Sequence, residues 1–425
     1  MTKATIVGNG ASTQSRGRRP GRPVTLSHCS GVYEHTTAGR KILSWPMGQY
    51  GGLLGYPSRS NPFTEELLLD LPKWLGSGKL SLGSYPPESE QFLADKLVSL
   101  YSPYLRSPDI GVRFASNGTD VTQMAVALAR YATRREAFVS VGYHGGSSPV
   151  FTTPPQNGGI LKANEEGRFD KDFSTRFDEM YFGDCSSVIV EVPAVEDEID
   201  AAKKLAKVSS QCKTDGVYFI LDDIVTGFRF APAGALEYYS NLLVDTGGLG
   251  RTVEWGQTIQ ADFVCLGKAL STYGKVSALL GPLDVMKVLA DKVFASYTFN
   301  DHPLGFIDAL WTLKQYEKNY DRLYKDYPDD PMLGLECVVY IGKYLRNGLN
   351  VLFQKYNFPA RCIGHPARSA IFPTDDGAKL QTLLSRVVDE HNVLLHMPQF
   401  VTLAHNLGCV EQTLMAVEAV LKSWQ

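Results

Sequence analysis

The sequence has no apolar run long enough to cross a membrane, and its first residues lack the apolar core of a signal peptide. These absences argue against a membrane or secreted protein, and we expect a cytoplasmic one. The seven cysteines stand singly, without a CxxC motif, which argues against a disulfide framework, and we predict no metal site. With 42 basic and 45 acidic residues the net charge is only -3, so no general attraction to nucleic acid or to membranes follows.

The length and composition are those of an ordinary globular protein with more than one core. A chain of 425 residues exceeds a single core, and its 44% hydrophobic and 20% charged residues lie in the usual range. Short apolar runs alternate with helical periods in the middle of the chain, a pattern typical of an α/β fold with a mostly parallel sheet wrapped by helices. The predicted strands are Val112–Phe114, Ala137–Val141, Ser187–Val192, Val217–Leu221, Phe263–Leu266 and Ser277–Leu280.

The predicted helices flank these strands and dominate the last third of the chain. They span Glu65–Leu75, Glu88–Tyr101, Asp120–Ala132, Asp197–Gln211, Leu304–Tyr316, Met332–Leu345 and Val410–Trp424. Near the N-terminus, Gly31–Leu43 is predicted to form an antiparallel hairpin. Residues 1–19 are rich in Gly, Ser, Thr and Arg without periodicity, and we predict a flexible arm there.

Asp222 and Lys268 are the two residues that point most directly to chemistry. Asp222 ends the apolar run Val217–Leu221, and Lys268 follows the apolar run Phe263–Leu266. This pair suits pyridoxal phosphate (PLP), because a lysine can form a Schiff base with the aldehyde and an aspartate can keep the pyridine nitrogen protonated. The alternative is an ordinary surface lysine, and Lys275 lies close enough to compete. The strand signal before Lys268 favours Lys268.

The segment Phe219–Arg229, with the sequence FILDDIVTGFR, resembles the Asp-Glu-Val-x-Thr-Gly-Phe-Arg signature of class III aminotransferases. Ala233–Tyr239 and Cys265–Lys268 continue the match, and the likeness extends from about residue 20 to the C-terminus. Within that class the sequence is most similar to the glutamate-1-semialdehyde aminomutases. The resemblance implies the fold-type I architecture of PLP-dependent transferases, with a smaller α+β domain built from both ends of the chain.

The resemblance also implies a domain order and a dimer. We expect a flexible arm over residues 1–19, and a segment over 20–105 that contributes to the small domain and to dimer contacts. A large PLP-binding domain is expected over 106–305, followed by a C-terminal small domain over 306–425. Family members of this kind share their active sites across a homodimer, which is therefore the expected assembly.

A small-residue turn, Ala115–Asp120, precedes a predicted helix and offers backbone N–H groups and a helix N-terminus to a phosphate. Read alone, such a turn can equally be a simple N-cap. The resemblance assigns Asn117, Gly118 and Thr119 to the cofactor phosphate. Asn117 stands where the family has serine, and Asp120 stands where it has glutamate.

The resemblance places further residues around the cofactor ring. Tyr143 would stack on one face of the pyridine, with His144 beside it in a cofactor or a structural role, and Ile224 would pack on the opposite face. Thr298 lies in a Thr-Phe motif in which the family's threonine reaches the phosphate of the neighbouring subunit. His302, where asparagine is common, departs from that motif.

Residues that would contact the substrate are less marked in this sequence. Glu191 either bonds the substrate or supports its loop. A substrate carboxylate is usually clamped by arginine, and Arg22, Arg59 and Arg368 are the candidates. A substrate amine without a carboxylate is the alternative.

Two departures from the family pattern affect these expectations. The interval from Asp222 to Lys268 is longer than in the family, and the extra segment lies within Ser240–Asp262, where it is either a surface insertion or part of the substrate entrance. His35 and Ser44 replace acidic residues that are usual in the first hairpin.

The expected activity is the transfer of an amino group between an amine or amino acid and a carbonyl compound. Intramolecular transfer, as in the aminomutase, is an alternative, and decarboxylation is another, because the same cofactor supports all three. A further alternative uses the basic stretch Ser15–Pro23, which could lie in the DNA minor groove, so that the protein acts on an amine carried by a nucleotide or DNA. The last alternative is a PLP fold that binds but no longer catalyses.

Overall fold

The structure is a computed structural model of the chain. It describes residues 20–22, 24–49, 52–81, 83–142, 144–145, 182–192, 194–245, 259–273, 276–293, 295–296, 298–317, 334–395 and 398–424. Several sequence predictions fall outside these ranges: Tyr143, Lys275, the arm over residues 1–19 and residues 246–258 of the insertion.

The described strands are short and are numbered in chain order. They are β1 (Leu26–Ser30), β2 (Tyr33–Thr36), β3 (Lys41–Ser44), β4 (Ile110–Ala115), β5 (Phe138–Val141), β6 (Ser187–Val190), β7 (Tyr218–Asp222), β8 (Phe263–Leu266), β9 (Ser277–Pro282), β10 (Ala360–Ile363), β11 (Ala370–Pro373) and β12 (Val393–Leu394).

The longer helices are numbered in the same way. They are α1 (Glu65–Gly76), α2 (Glu88–Tyr101), α3 (Gly118–Thr133), α4 (Glu198–Asp215), α5 (Gly234–Asp245), α6 (Pro303–Tyr316), α7 (Gly334–Lys355), α8 (Ala378–His391) and α9 (Leu407–Lys422). Single helical turns occur at Met47–Gln49, Ser102–Tyr104, Lys268–Leu270, Leu283–Met286, Lys287–Ala290 and Pro366–Arg368.

The chain divides into two compact units. One unit combines the described residues up to Asp70 with those from Gln315 onward, and the other is the segment Leu71–Lys314. The first unit is thus discontinuous in sequence and the second is continuous.

The Leu71–Lys314 unit is built on a six-stranded sheet with the order β4-β9-β8-β7-β6-β5. The strands from β5 to β8 pair in parallel, whereas β9 runs antiparallel to both β8 and β4. The fold-type I α/β architecture expected from the sequence is confirmed. Because β9 alone is reversed, the carboxyl ends of the other five strands lie at one edge of the sheet.

Both faces of this sheet are covered, which explains why the residues of its strands β5 to β8 are mostly apolar and almost all buried. On β7, Phe219 and Leu221 belong to one core cluster and Ile220 belongs to the other, as the alternation of a strand requires. The first cluster takes side chains from α2, α4, α5 and α6, and the second is filled by α3. Phe219, Ile220 and Leu221 are fully buried.

The other unit contains a four-stranded sheet with the order β1-β2-β3-β12 and the hairpin β10-β11. The predicted N-terminal hairpin is present as the antiparallel pair β2-β3, which is extended by β1 and by the parallel strand β12. Trp45 is fully buried there, stacks on His405 at 4.2 Å and donates its Nε1–H to Thr413. Across the described part of the chain, none of the helices has both the length and the apolar content for a membrane crossing.

Two helix ends differ from the predictions for identifiable reasons. Helix α3 begins at Gly118, two residues before the predicted start, because Asn117 caps it. Helix α7 continues to Lys355, ten residues beyond the predicted end at Leu345. A side chain on Gly348 would come within 2.5 Å of Leu414 Cδ1, so this glycine lets α7 pack closely on α9 instead of ending the helix.

Candidate active site

The carboxyl ends of five strands bring the predicted site residues to one edge of the sheet. In register, Val141 pairs with Val190, and Asp222 pairs with Cys265, three residues before Lys268. Asn117 follows β4, which runs in the same direction. In open α/β sheets, ligands bind at this edge.

Lys268 occupies an unusual backbone conformation directly after β8. Its φ is 42°, in the left-handed region that non-glycine residues rarely adopt. It opens the single helical turn Lys268–Leu270, and its residue is half-buried. A Cβ at the preceding Gly267 would lie 2.8 Å from Ser277 Oγ, so the backbone here passes tightly over β9. Such strain in a loop is typical of functional sites.

Asp222 is buried at the end of β7 and contacts a histidine. The Asp222 Oδ2 atom lies 2.8 Å from His144 Nδ1, and both side chains are almost completely inaccessible. The other carboxylate oxygen accepts a hydrogen bond from the backbone N–H of Ile224 at 3.2 Å. The backbone carbonyl of His144 accepts from the Thr122 hydroxyl, which ties this residue to α3. The carboxylate is thus held in one orientation by His144 and by its own turn.

Ile224 and Thr119 fill the space between segments that are far apart in sequence. A Cβ at Gly118 would lie 2.5 Å from Ile224 Cδ1, and a Cβ at Gly267 would lie 3.4 Å from Ile224 Cγ2. A Cβ at Gly145, whose φ is +103°, would lie 2.2 Å from Thr119 Oγ1. The phosphate-loop candidates, the His144 segment, the Asp222 turn and the Lys268 turn therefore meet in one place.

The N-terminus of α3 is formed by an asparagine cap. The Asn117 side-chain oxygen accepts from the Asp120 backbone N–H at 3.1 Å, and its amide donates to the Asp120 carboxylate. Partial burial raises the pKa of the Asp120 carboxyl group, and the Asn117 bond opposes that rise. Asn117 is therefore the N-cap of α3, and its assignment to the cofactor phosphate stays a prediction. The cap leaves Gly118 and Thr119 in the first turn, where backbone N–H groups can meet an anion.

The segment before α6 lies against this loop. The Ser116 backbone N–H donates to Asn300 Oδ1 at 3.0 Å, and its hydroxyl donates to the Phe299 carbonyl at 3.1 Å. Thr298 and Phe299 are exposed. His302 accepts from the Leu304 backbone N–H and so caps α6.

The substrate candidates are spread over the molecule. Glu191 is 7% exposed at the end of β6, at the same sheet edge as Asp222, and its backbone N–H donates to the Val141 carbonyl. The three arginines belong to the other unit. Arg22 has an 87% exposed side chain 4.0 Å from Asp389, Arg59 is exposed and Arg368 is buried.

Asp223 is a buried carboxylate to which the sequence assigned no clear role. Its fully buried side chain accepts from the Tyr101 hydroxyl, the Thr226 hydroxyl and the Ala235 backbone N–H. Burial raises its pKa to about 7, although the three hydrogen bonds act in the opposite direction. A Cβ at Gly234 would lie 1.8 Å from Asp223 Oδ2. The carboxylate thus ties α2 and α5 to the turn after Asp222, and the nearby glycine is the sequence signal that could have revealed it.

The raised pKa of Asp223 predicts a pH-dependent stability. Because the folded-state pKa of about 7 exceeds the ordinary 3.8, folding favours the protonated form. The stabilisation is complete below the unfolded value and is lost as the pH rises through the folded one. From about pH 5 to about pH 8, wild type should lose roughly 2–3 kcal/mol of unfolding free energy relative to Asp223→Asn. Urea unfolding of both proteins checks this, and parallel pH profiles would contradict it.

Comparisons with known proteins show what this chain is similar to. No family model matches the chain. A glutamate-1-semialdehyde 2,1-aminomutase of Hyperthermus butylicus is 26% identical over 339 residues, which cover 74% of this chain and 71% of the relative. The FumI protein of Sphingopyxis sp. MTA144, solved in its PLP internal aldimine form, has a similar structure, with a TM-score of 0.73 at 22% sequence identity. The match covers 98% of this chain and 93% of the FumI chain.

A third protein links the sequence match and the structural match. A glutamate-1-semialdehyde aminomutase from Pseudomonas aeruginosa PAO1, a lysine-to-alanine variant in complex with PMP, has a TM-score of 0.70 at 15% identity. The match covers 98% of this chain and 92% of the aminomutase chain. In sequence the chain is thus similar to glutamate-1-semialdehyde aminomutases, and it shares the fold of PLP-dependent transaminases. The resemblance read from the Asp222 and Lys268 segments is therefore confirmed.

The residues at this sheet edge fit PLP. The buried carboxyl group of Asp222 suits a protonated pyridine nitrogen, because a buried acid needs polar or charged partners. Gly118 has no side chain at the point where a Cβ would meet Ile224, so Ile224 can pack directly against the N-terminus of α3. Lys268 is only half-buried and can reach an aldehyde.

Proposed function

We propose that this protein is a PLP-dependent aminotransferase that moves an amino group between an amine or amino acid and a carbonyl compound, with Lys268 as the residue that holds the cofactor covalently. When bound, PLP supplies an electron sink that stabilises negative charge on the substrate carbon. The observation that carries the proposal is the placement of Asp222 at the end of β7 and of Lys268 in the turn after the neighbouring parallel strand β8, with the Gly118 and His144 segments nearby.

Asp222 would keep a proton on the pyridine nitrogen. A carboxylate inside a low-dielectric site stabilises a neighbouring cation far more strongly than it would in water. His144 holds one carboxylate oxygen at 2.8 Å, and the Ile224 backbone N–H holds the other. The carboxylate therefore needs no reorganisation during the reaction, which is how preorganised electrostatics contributes to catalysis.

Lys268 would move the proton between the substrate carbon and the cofactor. For this its amino group must be neutral, because only the free amine can accept a proton. Its left-handed backbone and the tight passage of Gly267 over Ser277 fix where the side chain starts. Because the backbone of Lys268 is fixed, its amino group can reach only one face of the substrate.

Gly118 and Thr119 would bind the phosphate through backbone N–H groups and the Thr119 hydroxyl, in the first turn of α3. In the homodimer that we propose, the exposed Thr298 reaches the phosphate of the neighbouring subunit. Tyr143 and Ile224 would enclose the ring. Glu191 and the three arginines are retained as candidate substrate residues, and the substrate is expected to be a small amine or amino acid.

The experiment that tests this proposal is a visible absorption titration of the purified protein with PLP. We expect a yellow complex whose band is lost when one amino donor is added, because a single half-reaction consumes the bound aldehyde. Borohydride reduction followed by peptide mapping should place the pyridoxyl group on Lys268, and Lys275→Ala serves as the matched control that keeps the band. A protein that stays colourless at saturating PLP would overturn the proposal.

Intramolecular amino transfer is the second candidate, and it rests on the name carried by the curated relatives. An aminomutase converts glutamate-1-semialdehyde without any second carbonyl compound, whereas an aminotransferase requires both an amino donor and a carbonyl acceptor. Turnover of the semialdehyde alone over many enzyme equivalents favours the aminomutase. Turnover that needs an added donor and acceptor favours the aminotransferase.

A further inference from the structure

Asp308 is a buried carboxylate on α6 that bonds the loop following Lys268. It is fully buried and accepts a hydrogen bond from the Tyr273 backbone N–H at 2.8 Å. Burial raises its pKa to about 6, while hydrogen bonds from the backbone of Thr272 and Tyr273 and from the hydroxyls of Thr272 and Thr312 lower it. A carboxylate that accepts several bonds from one short loop restrains that loop.

A hydroxyl contact strengthens this connection between the loop and the helix. Thr272 Oγ1 lies 2.7 Å from Thr312 Oγ1, and Thr312 stands one helical turn after Asp308. Ser271, Thr272 and Thr312 are buried. We name the contacts of Asp308 and Thr312 with Thr272 and Tyr273 the loop tether. It begins four residues after Lys268, so the lysine cannot shift far without breaking it.

Helix α6 is itself fixed to the sheet and to the phosphate loop. Phe306, fully buried, packs on Phe114 of β4 with ring centroids 4.9 Å apart. The segment just before the helix bonds Ser116 through Asn300 and Phe299. The helix therefore connects the phosphate end of the candidate site with the loop that carries Lys268.

We propose that Asp308 is a positioning residue for Lys268, acting through the loop tether, and that α6 sets the distance between the lysine and the phosphate loop. The inference rests on the proposed function in so far as Lys268 is the cofactor lysine. The alternative is a carboxylate that merely stabilises the fold. The two roles predict different effects of removing the Asp308 carboxylate. A positioning role predicts faster amide exchange in the loop after Lys268 only, whereas a role in stability predicts faster exchange throughout the Leu71–Lys314 unit.

The test compares Asp308→Ala, Asp308→Asn and the exposed control Lys314→Ala by amide hydrogen exchange of the full-length protein without cofactor. In Asp308→Ala, exchange of peptides spanning Lys268–Tyr273 should rise about ten- to hundredfold, the effect of losing two or three hydrogen bonds to a carboxylate. Asp308→Asn keeps an acceptor oxygen and should restore most of the protection. Lys314→Ala should match wild type.

A second readout concerns the lysine itself. With PLP added, the pH midpoint of the visible band should shift in Asp308→Ala and return in Asp308→Asn, because that midpoint depends on the surroundings of Lys268. Unchanged exchange in the Lys268–Tyr273 loop would overturn the proposal, and so would a uniform rise across the unit. If Asp308→Ala fails to fold, Thr312→Val tests the same tether, and unchanged loop exchange there overturns it.

Failure of this inference is distinguishable from failure of the proposed function. The exchange measurement requires no cofactor, so a wild-type protein that never becomes yellow would refute the PLP proposal and leave the loop tether to be judged by exchange alone. A protein that becomes yellow with PLP, but whose Lys268–Tyr273 loop exchanges at the same rate in wild type and Asp308→Ala, would refute only the proposed role of the loop tether.

Discussion

Replacing Lys268 with alanine is expected to abolish covalent cofactor attachment and to lower the rate of amino transfer by at least ~10³-fold. The variant loses both the covalent anchor and the proton carrier, and no second lysine in the described residues follows a strand of this sheet edge. The measurement is the steady-state rate with a donor and an acceptor, together with borohydride trapping and peptide mapping.

Lys275→Ala is the control for this experiment, since Lys275 is the lysine that sequence position alone makes a competitor. Its rate and its trapped peptide should be those of wild type. If Lys268→Ala retained activity within tenfold of wild type, or if the trapped group mapped to Lys275, the assignment of the lysine would be wrong. Thermal unfolding of the variant excludes a folding defect as the cause of the loss.

Asp222→Asn is expected to lower kcat by ~10²–10⁴-fold while leaving the covalent cofactor attached. The asparagine keeps the shape of the side chain but not its charge, so the proton on the pyridine nitrogen is no longer held. Because Lys268 is untouched, the visible band should remain. Retention of colour with loss of rate separates this electrostatic role from a role in binding.

His144→Ala supplies a sharper test of the Asp222 role through a double-mutant cycle. The imidazole lies 2.8 Å from the carboxylate, and we expect it to act through Asp222. The double variant should therefore be scarcely slower than Asp222→Asn alone, because residues that act as a unit are not additive. Additive losses would show that His144 has an independent role. An Asp222→Asn enzyme with unchanged kcat would refute the electron-sink argument.

The strands and the central motif could be predicted because their signals are local. The bounds of β8 and α2 match the sequence prediction residue for residue, since each is an apolar or amphipathic run with a clear start. Asp222 and Lys268 each follow an apolar run, which was enough to predict a buried strand before each of them. Parallel pairing then follows from the α/β alternation.

The features that sequence did not reveal depend on distant partners. Asp223 and Asp308 are single acids whose roles are set by Tyr101 and by Thr272, far from them in sequence. A lone aspartate within the apolar helix α6 is the one signal that could have drawn attention to Asp308. The continuation of α7 past Gly348 is of the same kind, because only the approach of Leu414 explains why a glycine sits inside the helix.

The division of the chain has a consequence for the order in which the protein is made. All the residues that we place around the cofactor lie in the continuous Leu71–Lys314 segment, so every one of them is synthesised before the C-terminal quarter of the chain. The strand pair β3–β12 joins Leu43 to Val393 and must wait for almost the entire chain. Contacts of such long sequence separation form slowly, and chains fold by domains during synthesis. A nascent chain thus contains all these proposed cofactor residues while its other unit still lacks one of its strands.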